Sequence, residues 1–274
     1  MKDLFSLKDK VIIITGACGL LGKVYVNIIA QYGGTPILID LDIETINEHV
    51  AEINDKYKVN ARGYSVNITR EKEIKDNCLK IMNEYEKIDG LINNAANNPK
   101  IEDSNNLKFS RLENFNIEQW NNDLDVSLKG SFLCVKHYGY QISKNPNGGS
   151  IINISSDLGL IAPNQNLYKK EDLPEDQQPV KPVTYSITKS GLIGLTRYVS
   201  SYWAKNNVRC NAICPGGIEN NQSIEFQKQV SKLIPMGRMA NKNEISGAIV
   251  YLLSDASSYA NGTVIIVDGG RTAW

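Results

Sequence analysis

The chain has 274 residues, of which 42% are hydrophobic and 22% are charged, a composition that is typical of globular proteins and excludes intrinsic disorder. Its 30 basic residues balance 30 acidic residues, which excludes the basic excess of a nucleic-acid-binding protein. No apolar run approaches the roughly 20 residues that cross a membrane. The length allows about two domains, although one large α/β domain can reach roughly 250 residues.

Cysteine and histidine are sparse and scattered. The chain has five cysteines, an odd number with no CxxC pair, which argues against a disulfide framework and against a zinc site. His49 and His137 are the two histidines of the sequence, too few for a histidine metal site. We therefore expect no metal, reduced thiols and a cytoplasmic location.

In chain order, short β-branched runs alternate with segments of helical spacing. Strands are predicted at residues 11–14, 35–39, 61–66, 88–93, 150–154, 208–213 and 264–267. Helices are predicted at residues 20–32, 43–56, 70–86, 117–143, 185–205 and 243–254. The alternation predicts an α/β fold with three layers, in which a mainly parallel, doubly wound, seven-stranded sheet is buried on both faces. We expect one domain over residues 1–274.

Two polar segments with prolines, residues 97–116 and 163–183, interrupt this alternation. Both follow predicted strands, so they emerge at the carboxyl edge of the sheet, where ligands of such folds bind. Residues 169–178 taken alone fit an ordinary solvated insertion. The shared position of the two segments favours a rim or lid over a substrate.

The sequence TGACGLLG joins the first predicted strand to the first helix. Gly16, Gly19 and Gly22 permit a tight turn, close approach of a pyrophosphate and close helix–strand packing, as in a Rossmann fold. Asp40 ends the second strand, where a carboxylate suits the ribose hydroxyls of NAD and repels the extra phosphate of NADP. Leu41 follows it, so no arginine is adjacent. The alternative is that Asp40 caps a helix, a role for which Asp42 is the better candidate.

Tyr185 and Lys189 form a YxxxK pair at the start of a predicted helix. Residues four apart share one helix face, about 5 to 6 Å apart. An ammonium beside a phenol favours the phenolate and lowers a pKa that is usually near 10. Ser155 and Ser156 end the fifth strand, where a hydroxyl can hydrogen-bond a substrate oxygen. By itself, a YxxxK pair usually marks a solvated helix face.

With these motifs in the same order, the chain resembles the single-domain branch of the short-chain dehydrogenase/reductase family over nearly its whole length. The motifs that carry the resemblance are TGACGLLG, Asp40, VNIT, NNAA, SLKG, NISS, YSITK, NAICPGG and VDGG. The resemblance implies that Tyr185 is the catalytic acid/base and that Lys189 binds the nicotinamide ribose and lowers the tyrosine pKa. It also implies that Ser156 orients the reacting oxygen.

The resemblance also implies a cofactor site. Asn67 would meet the adenine, Asn93 would line the cleft, and Pro215 and Gly216 would border the nicotinamide. The implied cofactor-binding residues are Thr15, Gly16, Gly19, Leu20, Leu21, Gly22, Asp40, Asn67, Ile68, Asn93, Asn94, Ala95, Tyr185, Lys189, Pro215, Gly216 and Ile218.

The chain departs from the family pattern at three places. The glycines are spaced GxxGxxG, as in the extended branch that modifies sugar nucleotides, although the closing VDGG fits the single-domain branch. Ser127 stands where the family often has asparagine, whose backbone carbonyl holds a water of the proton relay; the carbonyl survives the change. Ser156 and Tyr185 are unusually far apart because the 163–183 segment lies between them.

Within the family, three stretches resemble oxidoreductases of bacterial flagellin-glycan and nonulosonic-acid pathways: VIIITGACGLLG, DVSLKGSFLC and KPVTYSITKSGLIGLTRY. Basic residues of the two polar segments are candidates for contact with a phosphate, although they are interleaved with acids and fit a solvated surface equally well. They are Lys100, Lys108, Arg111, Lys169, Lys170 and Lys181.

These resemblances imply an NAD-dependent oxidoreductase acting on a secondary alcohol or ketone of a sugar or sugar phosphate in surface-glycan biosynthesis. They also imply a homotetramer or homodimer, because the helix after YxxxK packs between subunits in this family. The alternatives are a 3-oxoacyl or small-ketone reductase, an NAD-sensing binding protein without turnover and, from the glycine spacing alone, an epimerase or dehydratase.

Overall fold

A computed structural model describes residues 3–97 and 110–274 of the protein. Seven parallel strands form one sheet in the order β3-β2-β1-β4-β5-β6-β7, so the predicted doubly wound α/β fold is confirmed. Strand order reverses between β1 and β4, and ligands of open α/β sheets bind at such a point. The strands are β1 (Val11–Thr15), β2 (Thr35–Asp40), β3 (Arg62–Ser65), β4 (Gly90–Asn93), β5 (Gly149–Ile154), β6 (Val208–Pro215) and β7 (Val264–Val267).

The helices follow the predicted order with two differences. The long predicted helix at 117–143 is a helical run in which two π turns, Asp125–Lys129 and Val135–Gly139, separate three α segments. The helix α8 was not predicted; Ser223 caps it by accepting from the backbone nitrogen of Phe226. The helices are α1 (Leu20–Gln31), α2 (Ile43–Tyr57), α3 (Glu71–Tyr85), α4 (Ile117–Leu124), α5 (Gly130–Cys134), α6 (Tyr140–Ile142), α7 (Val183–Tyr202), α8 (Ile224–Ser231) and α9 (Ser246–Leu253).

The hydrophobic core has two halves, one on each face of the sheet. Successive residues of a strand point to opposite faces, so Ile12 and Ile14 pack in one half and Val11 and Ile13 in the other. Helices α1 and α9 cover the first half, and α3 and α5 cover the second. All five residues of β1 are buried, as expected for a central strand beneath helices on both sides.

The two edge strands depart from the prediction that every strand is apolar on both faces. Arg62 and Ser65 of β3 are exposed, and Ile266 of β7 is 46% exposed. That prediction is wrong at the edges because an edge strand has a neighbouring strand on one side only.

Of the two polar segments, residues 98–109 of the first, including Lys100 and Lys108, lie outside the described residues. The second contains two short 3-10 turns, Gln165–Tyr168 and Glu175–Gln177. Gln178 is buried and its side chain bonds to the backbone of Lys170 and Leu173, which fastens this loop to itself. In the two described ranges, no helix combines the length and the apolar character that a membrane span requires.

Candidate active site

The carboxyl ends of the central strands open into a cavity of about 780 Å³. Four residues predicted to belong to the site, Thr15, Gly22, Asn93 and Ser127, do not line it. The predicted residues that do are Gly16, Gly19, Leu20, Leu21, Asp40, Asn67, Ile68, Asn94, Ala95, Ser156, Tyr185, Lys189, Pro215, Gly216 and Ile218. One cavity therefore joins the predicted nucleotide end to the predicted reacting end.

The glycine turn between β1 and α1 has no room for side chains. Gly16 has a φ of +63°, and a Cβ there would lie 2.9 Å from the Cα of Ala95. A Cβ at Gly22 would lie 2.1 Å from the carbonyl oxygen of Gly16, so Gly22 serves the packing of α1 on the turn. No side chain of the described residues caps α1 at Gly19, which leaves the start of this helix suited to a phosphate.

Asp40 lies beside this turn and does not cap a helix. Its Oδ2 accepts from the amide of Cys18 at 2.8 Å, and its Oδ1 accepts from the amide of Leu41 at 2.8 Å. Asp42 instead caps α2 by accepting from the amide of Glu44 at 3.1 Å. Each carboxylate oxygen of Asp40 has a second lone pair, so the side chain can also accept from ribose hydroxyls at the cavity wall.

The prediction that Asn93 lines the cofactor cleft is wrong. Its side chain is buried between strands and donates to Oδ1 of Asn153 at 2.8 Å. The next residue, Asn94, lines the cavity and donates to the carbonyl oxygens of Thr15 and Gly16, each at 3.0 Å. Thr15 turns its hydroxyl inward, where it accepts from the amides of Asn94 and Ala95.

At the adenine end predicted for Asn67, the side chain shapes its own loop. Its Oδ1 accepts from the amide and the hydroxyl of Thr69, at 3.0 and 2.8 Å. The backbone nitrogen of Asn67 donates to the carboxylate of Glu73 at 2.7 Å. These bonds hold Asn67 and Ile68 on the cavity wall.

Ser156, Tyr185 and Lys189 meet at the other end of the cavity. Ser156 Oγ donates to Asp157 Oδ1 at 2.8 Å, and its side chain also hydrogen-bonds Tyr185. Lys189 Nζ donates to the carbonyl oxygen of Ile154 at 2.9 Å and lies 5.7 Å from the centre of the Tyr185 ring. The YxxxK pair therefore faces the cavity and not solvent.

Burial shifts the pKa values of Tyr185 and Lys189. Burial raises the pKa of Tyr185, the hydrogen bond from Ser156 opposes that rise, and the charge of Asp157 adds to it. Burial and the charge of Lys181 lower the pKa of Lys189 to about 8. Burial therefore outweighs the predicted effect of Lys189, and the pKa of Tyr185 lies above its usual value instead of below it.

Ser127 lies in the first π turn, where it is 2% exposed. Its backbone carbonyl accepts from the hydroxyl of Ser131 at 2.7 Å. This bond occupies one of the two lone pairs of the carbonyl oxygen that the predicted relay water would use. Its neighbour Val126 reaches the cavity wall.

Among the loop cations within the described ranges, Lys181 alone lines the cavity. Arg111 is bonded to the Glu113 carboxylate at 2.5 Å and to the carbonyl oxygen of Glu175 at 2.8 Å. Lys169 is bonded to the carboxylate of Glu175 at 3.2 Å. These pairs fit the surface interpretation of the loop cations.

The cavity residues at the reacting end that were not predicted as site residues include Asp157, Tyr168, Phe226 and Arg271. Asp157 directly follows Ser156 and Arg271 directly follows VDGG, so motif adjacency was the available signal. Tyr168 and Phe226 come from elements without a motif, and their rings lie 5.9 Å apart.

The sheet, the glycine turn and the Ser156–Tyr185–Lys189 group define an oxidoreductase that binds a nicotinamide cofactor. A model of the family described as short chain dehydrogenase matches residues 10–169, and one described as Enoyl-(Acyl carrier protein) reductase matches residues 176–272. The chain belongs to the short-chain dehydrogenase/reductase family, and it acts on a small molecule with an alcohol or keto group.

Three relatives span nearly the whole chain. An NADP-dependent mannitol dehydrogenase of Alternaria alternata is 31% identical, covering 98% of this chain and 95% of its own. A 3-oxoacyl-[acyl-carrier-protein] reductase of Aquifex aeolicus is 32% identical, covering 97% and 98%. The post-translational flagellin modification protein A of Campylobacter coli is 27% identical, covering 96% and 98%, in accord with the resemblance to flagellin-modifying enzymes.

Solved structures share the fold. A gluconate 5-dehydrogenase from Burkholderia cenocepacia, in complex with NADP and tartrate, has a TM-score of 0.86 at 23% identity and covers 99% of this chain and 98% of its own. An NAD⁺-bound xylitol dehydrogenase has a TM-score of 0.82 at 24% identity, with coverage of 96% and 99%. Relatives and neighbours thus include users of both NADP and NAD.

Proposed function

We propose that the protein oxidises or reduces a secondary alcohol or ketone of a sugar or sugar derivative, with NAD as its preferred cofactor. The observation that carries this proposal is the placement of Ser156, Tyr185 and Lys189 on the wall of the cavity that also contains Asp40. A bound nicotinamide supplies the hydride donor or acceptor and, when oxidised, a positive charge.

The residues at the reacting end then handle the oxygen and its proton. In the oxidative direction Tyr185 takes the hydroxyl proton of the substrate, and Ser156 holds the reacting oxygen. Lys189 contributes positive charge that favours the phenolate of Tyr185. In the reductive direction the same phenol returns its proton to the forming alkoxide.

Asp40 supports NAD over NADP. Both of its oxygens already accept backbone amides, so the carboxylate is held in one position at the cavity wall. Leu41, 65% exposed, occupies the place where an arginine would attract the extra phosphate of NADP. The adenosine 2′-phosphate of NADP would meet a fixed negative charge.

A sugar substrate is supported by polar side chains of the cavity wall, which include Asn164, Asn220 and Gln222. The flagellin modification relative supports a role in surface-glycan biosynthesis. The test is a screen of polyols, sugar acids, sugar phosphates and nucleotide sugars with NAD and with NADP. Turnover is measured as the absorbance of NADH or NADPH. If the enzyme turned over none of these compounds, the result would count against a sugar substrate.

A second candidate function, reduction of a 3-oxoacyl thioester, is favoured by the Aquifex aeolicus relative at 32% identity. Acetoacetyl thioesters in the same screen distinguish the two candidates. An NAD-sensing protein would bind the cofactor without turnover of any substrate, and an epimerase or dehydratase would convert its substrate without net NADH.

We also infer a single domain that assembles as a homodimer or homotetramer in the cytoplasm. Tyr198 and Tyr202 on α7 are 66% and 63% exposed, and their rings stack at 5.7 Å, which suits a helix face that packs on another subunit. Light scattering of the purified protein tests this inference, and a monomer at micromolar concentration would contradict it.

A further inference from the structure

The reacting end of the cavity carries more charge than the Ser156–Tyr185–Lys189 group requires. Asp157, Lys181 and Arg271 also line it. They come from three separate places: the turn after β5, the loop before α7 and the segment after β7. We call these three residues the charged cluster.

Arg271 and Asp157 form a buried ion pair within this cluster. Arg271 Nε lies 3.4 Å from Asp157 Oδ2, and the residues are 9% and 3% exposed. The terminal nitrogens of Arg271 make no hydrogen bond with any residue in the described ranges. Because a guanidinium has five N–H donors, this side chain keeps donors for a ligand in the cavity.

Lys181 places a second cation beside the reacting group. Its Nζ lies 3.9 Å from the centre of the Tyr185 ring, within cation–π range. The charge of Asp157 opposes the loss of its proton. The ammonium therefore lies beside the side chain whose phenol would contact the reacting oxygen of a substrate.

Two acids of the described residues, Asp157 and Asp268, lie in or near the cluster. Asp157 Oδ1 is engaged by Ser156 Oγ and the amide of Leu158, each at 2.8 Å. Asp268 directs its carboxylate to the amides of Gly270 and Thr272, at 2.9 and 2.7 Å, and does not line the cavity. Among the described residues that line this end of the cavity, the cations are Lys181, Lys189 and Arg271, and the carboxylate is that of Asp157.

We propose that Lys181 and Arg271 bind an anionic group of the substrate, a carboxylate or a phosphate, while Asp157 Oδ2 accepts from a neighbouring hydroxyl. That oxygen is buried and accepts no hydrogen bond from the described residues, so a polyhydroxylated acid or phosphate ester satisfies it. This proposal rests on the proposed function, since it needs the reacting hydroxyl at Ser156 and Tyr185.

The test compares three probes of one carbon skeleton: glucitol, gluconate and glucitol 6-phosphate. The wild-type enzyme should have its highest kcat/KM with gluconate, if the group is a carboxylate, or with the phosphate ester. In Lys181→Met and in Arg271→Gln the ratio of that kcat/KM to the value for glucitol should fall by about 10- to 150-fold, the worth of a charge-assisted hydrogen bond. Lys169→Met, a loop lysine that pairs with Glu175 outside the cavity, is the matched control and should keep the ratio.

A binding measurement separates this proposal from the proposed function. With NADH present, malonate and inorganic phosphate are titrated by calorimetry into wild type, Lys181→Met and Lys169→Met. Anion binding that is present in wild type and Lys169→Met but lost in Lys181→Met supports the anion site, even if the enzyme oxidises no alcohol. If Arg271→Gln fails to fold, Lys181→Met still decides the question. Preference for glucitol, or an equal loss with all probes in the variants, would overturn the proposal.

Discussion

The side-chain nitrogen of Lys181 lies 3.9 Å from the centre of the Tyr185 ring, closer than the nitrogen of Lys189 at 5.7 Å. Burial lowers the pKa of both lysines to about 8, so each holds its proton weakly for a lysine. The ring of the proposed acid/base therefore has two ammonium groups within about 6 Å of its centre. The YxxxK motif predicts one of them, and the loop before α7 supplies the other.

The low pKa of Lys181 predicts a pH dependence of substrate binding. Among the described residues, Asp157, Lys189, Arg271 and Tyr185 share this end of the cavity with it. Burial lowers the pKa of Lys181, and the charge of Asp157 opposes that fall. Protonated Lys181 binds the proposed anion, so KM for an anionic substrate should rise between about pH 7 and about pH 9 as the proton is lost. Initial rates across this range check the prediction, and KM for a neutral polyol should rise less. A pH-independent KM would contradict it.

Removal of the phenol should stop turnover without loss of cofactor binding. In Tyr185→Phe no group takes the hydroxyl proton, so kcat should fall by about 100- to 10,000-fold. NADH fluorescence titration should give a dissociation constant close to that of wild type. Tyr259→Phe, at a fully exposed tyrosine, is the control and should keep full activity. Activity of Tyr185→Phe within about tenfold of wild type would exclude the acid/base role.

Periodicity and motifs predicted most of the fold because both depend on local sequence. Strands that are buried on both faces are apolar throughout, and the helices that cover them have helical spacing, so the sequence pattern predicts both kinds of element. The exposure of β3 and β7 did not follow, because the position of a strand in the sheet depends on the whole topology. The helix α8 was missed because its sequence is largely polar.

The site was predicted where one motif carries both chemistry and position. The side chain at a strand end points to one face or the other, so Asn93 and Asn94 differ in role although they are adjacent. Arg271 reaches the cavity only because β7 pairs with β6, which brings the end of the chain beside Asp157. No local sequence pattern predicts a contact between residues that are so far apart in the sequence.

The packing of α1 on the glycine turn predicts a large loss of stability in Gly22→Ala. The added Cβ would lie 2.1 Å from the carbonyl oxygen of Gly16 and 2.8 Å from backbone atoms of Ala17, none of which can yield easily. We expect a loss of about 3 kcal/mol or more in the free energy of unfolding, measured by urea denaturation.

The matched control for this change is Gly247→Ala in α9. Its added Cβ meets nothing within 4 Å, and alanine favours a helix over glycine. This variant should gain up to about 1 kcal/mol. Equal stability of the two variants would contradict the packing argument.

Replacement of Asp40 should weaken the preference for NAD. Asp40→Ser removes the carboxylate that faces the ribose site, so the ratio of kcat/KM with NAD to that with NADP should fall about tenfold or more. The amides of Cys18 and Leu41 also lose their acceptor, which should cost about 1 to 3 kcal/mol of stability. Asp42→Ser preserves a capping side chain on α2 and should leave both values unchanged. A wild-type enzyme that prefers NADP would refute the assignment of Asp40.

The loop ahead of α7 should affect substrate binding and not cofactor binding. Tyr168 from this loop and Phe226 from α8 line the reacting end together, with ring centres 5.9 Å apart. In Tyr168→Ala this wall opens and an aromatic contact is lost, so substrate KM should rise about tenfold. The dissociation constant of NADH should change less than about twofold, since the glycine turn and Asp40 lie at the other end of the cavity. Asp172→Ala, at an exposed position of the same loop, is the control. If Tyr168→Ala and Asp172→Ala gave the same substrate KM, the part of the loop around Tyr168 would be a surface insertion. The determinants of specificity would then lie on Phe226 and the charged cluster instead.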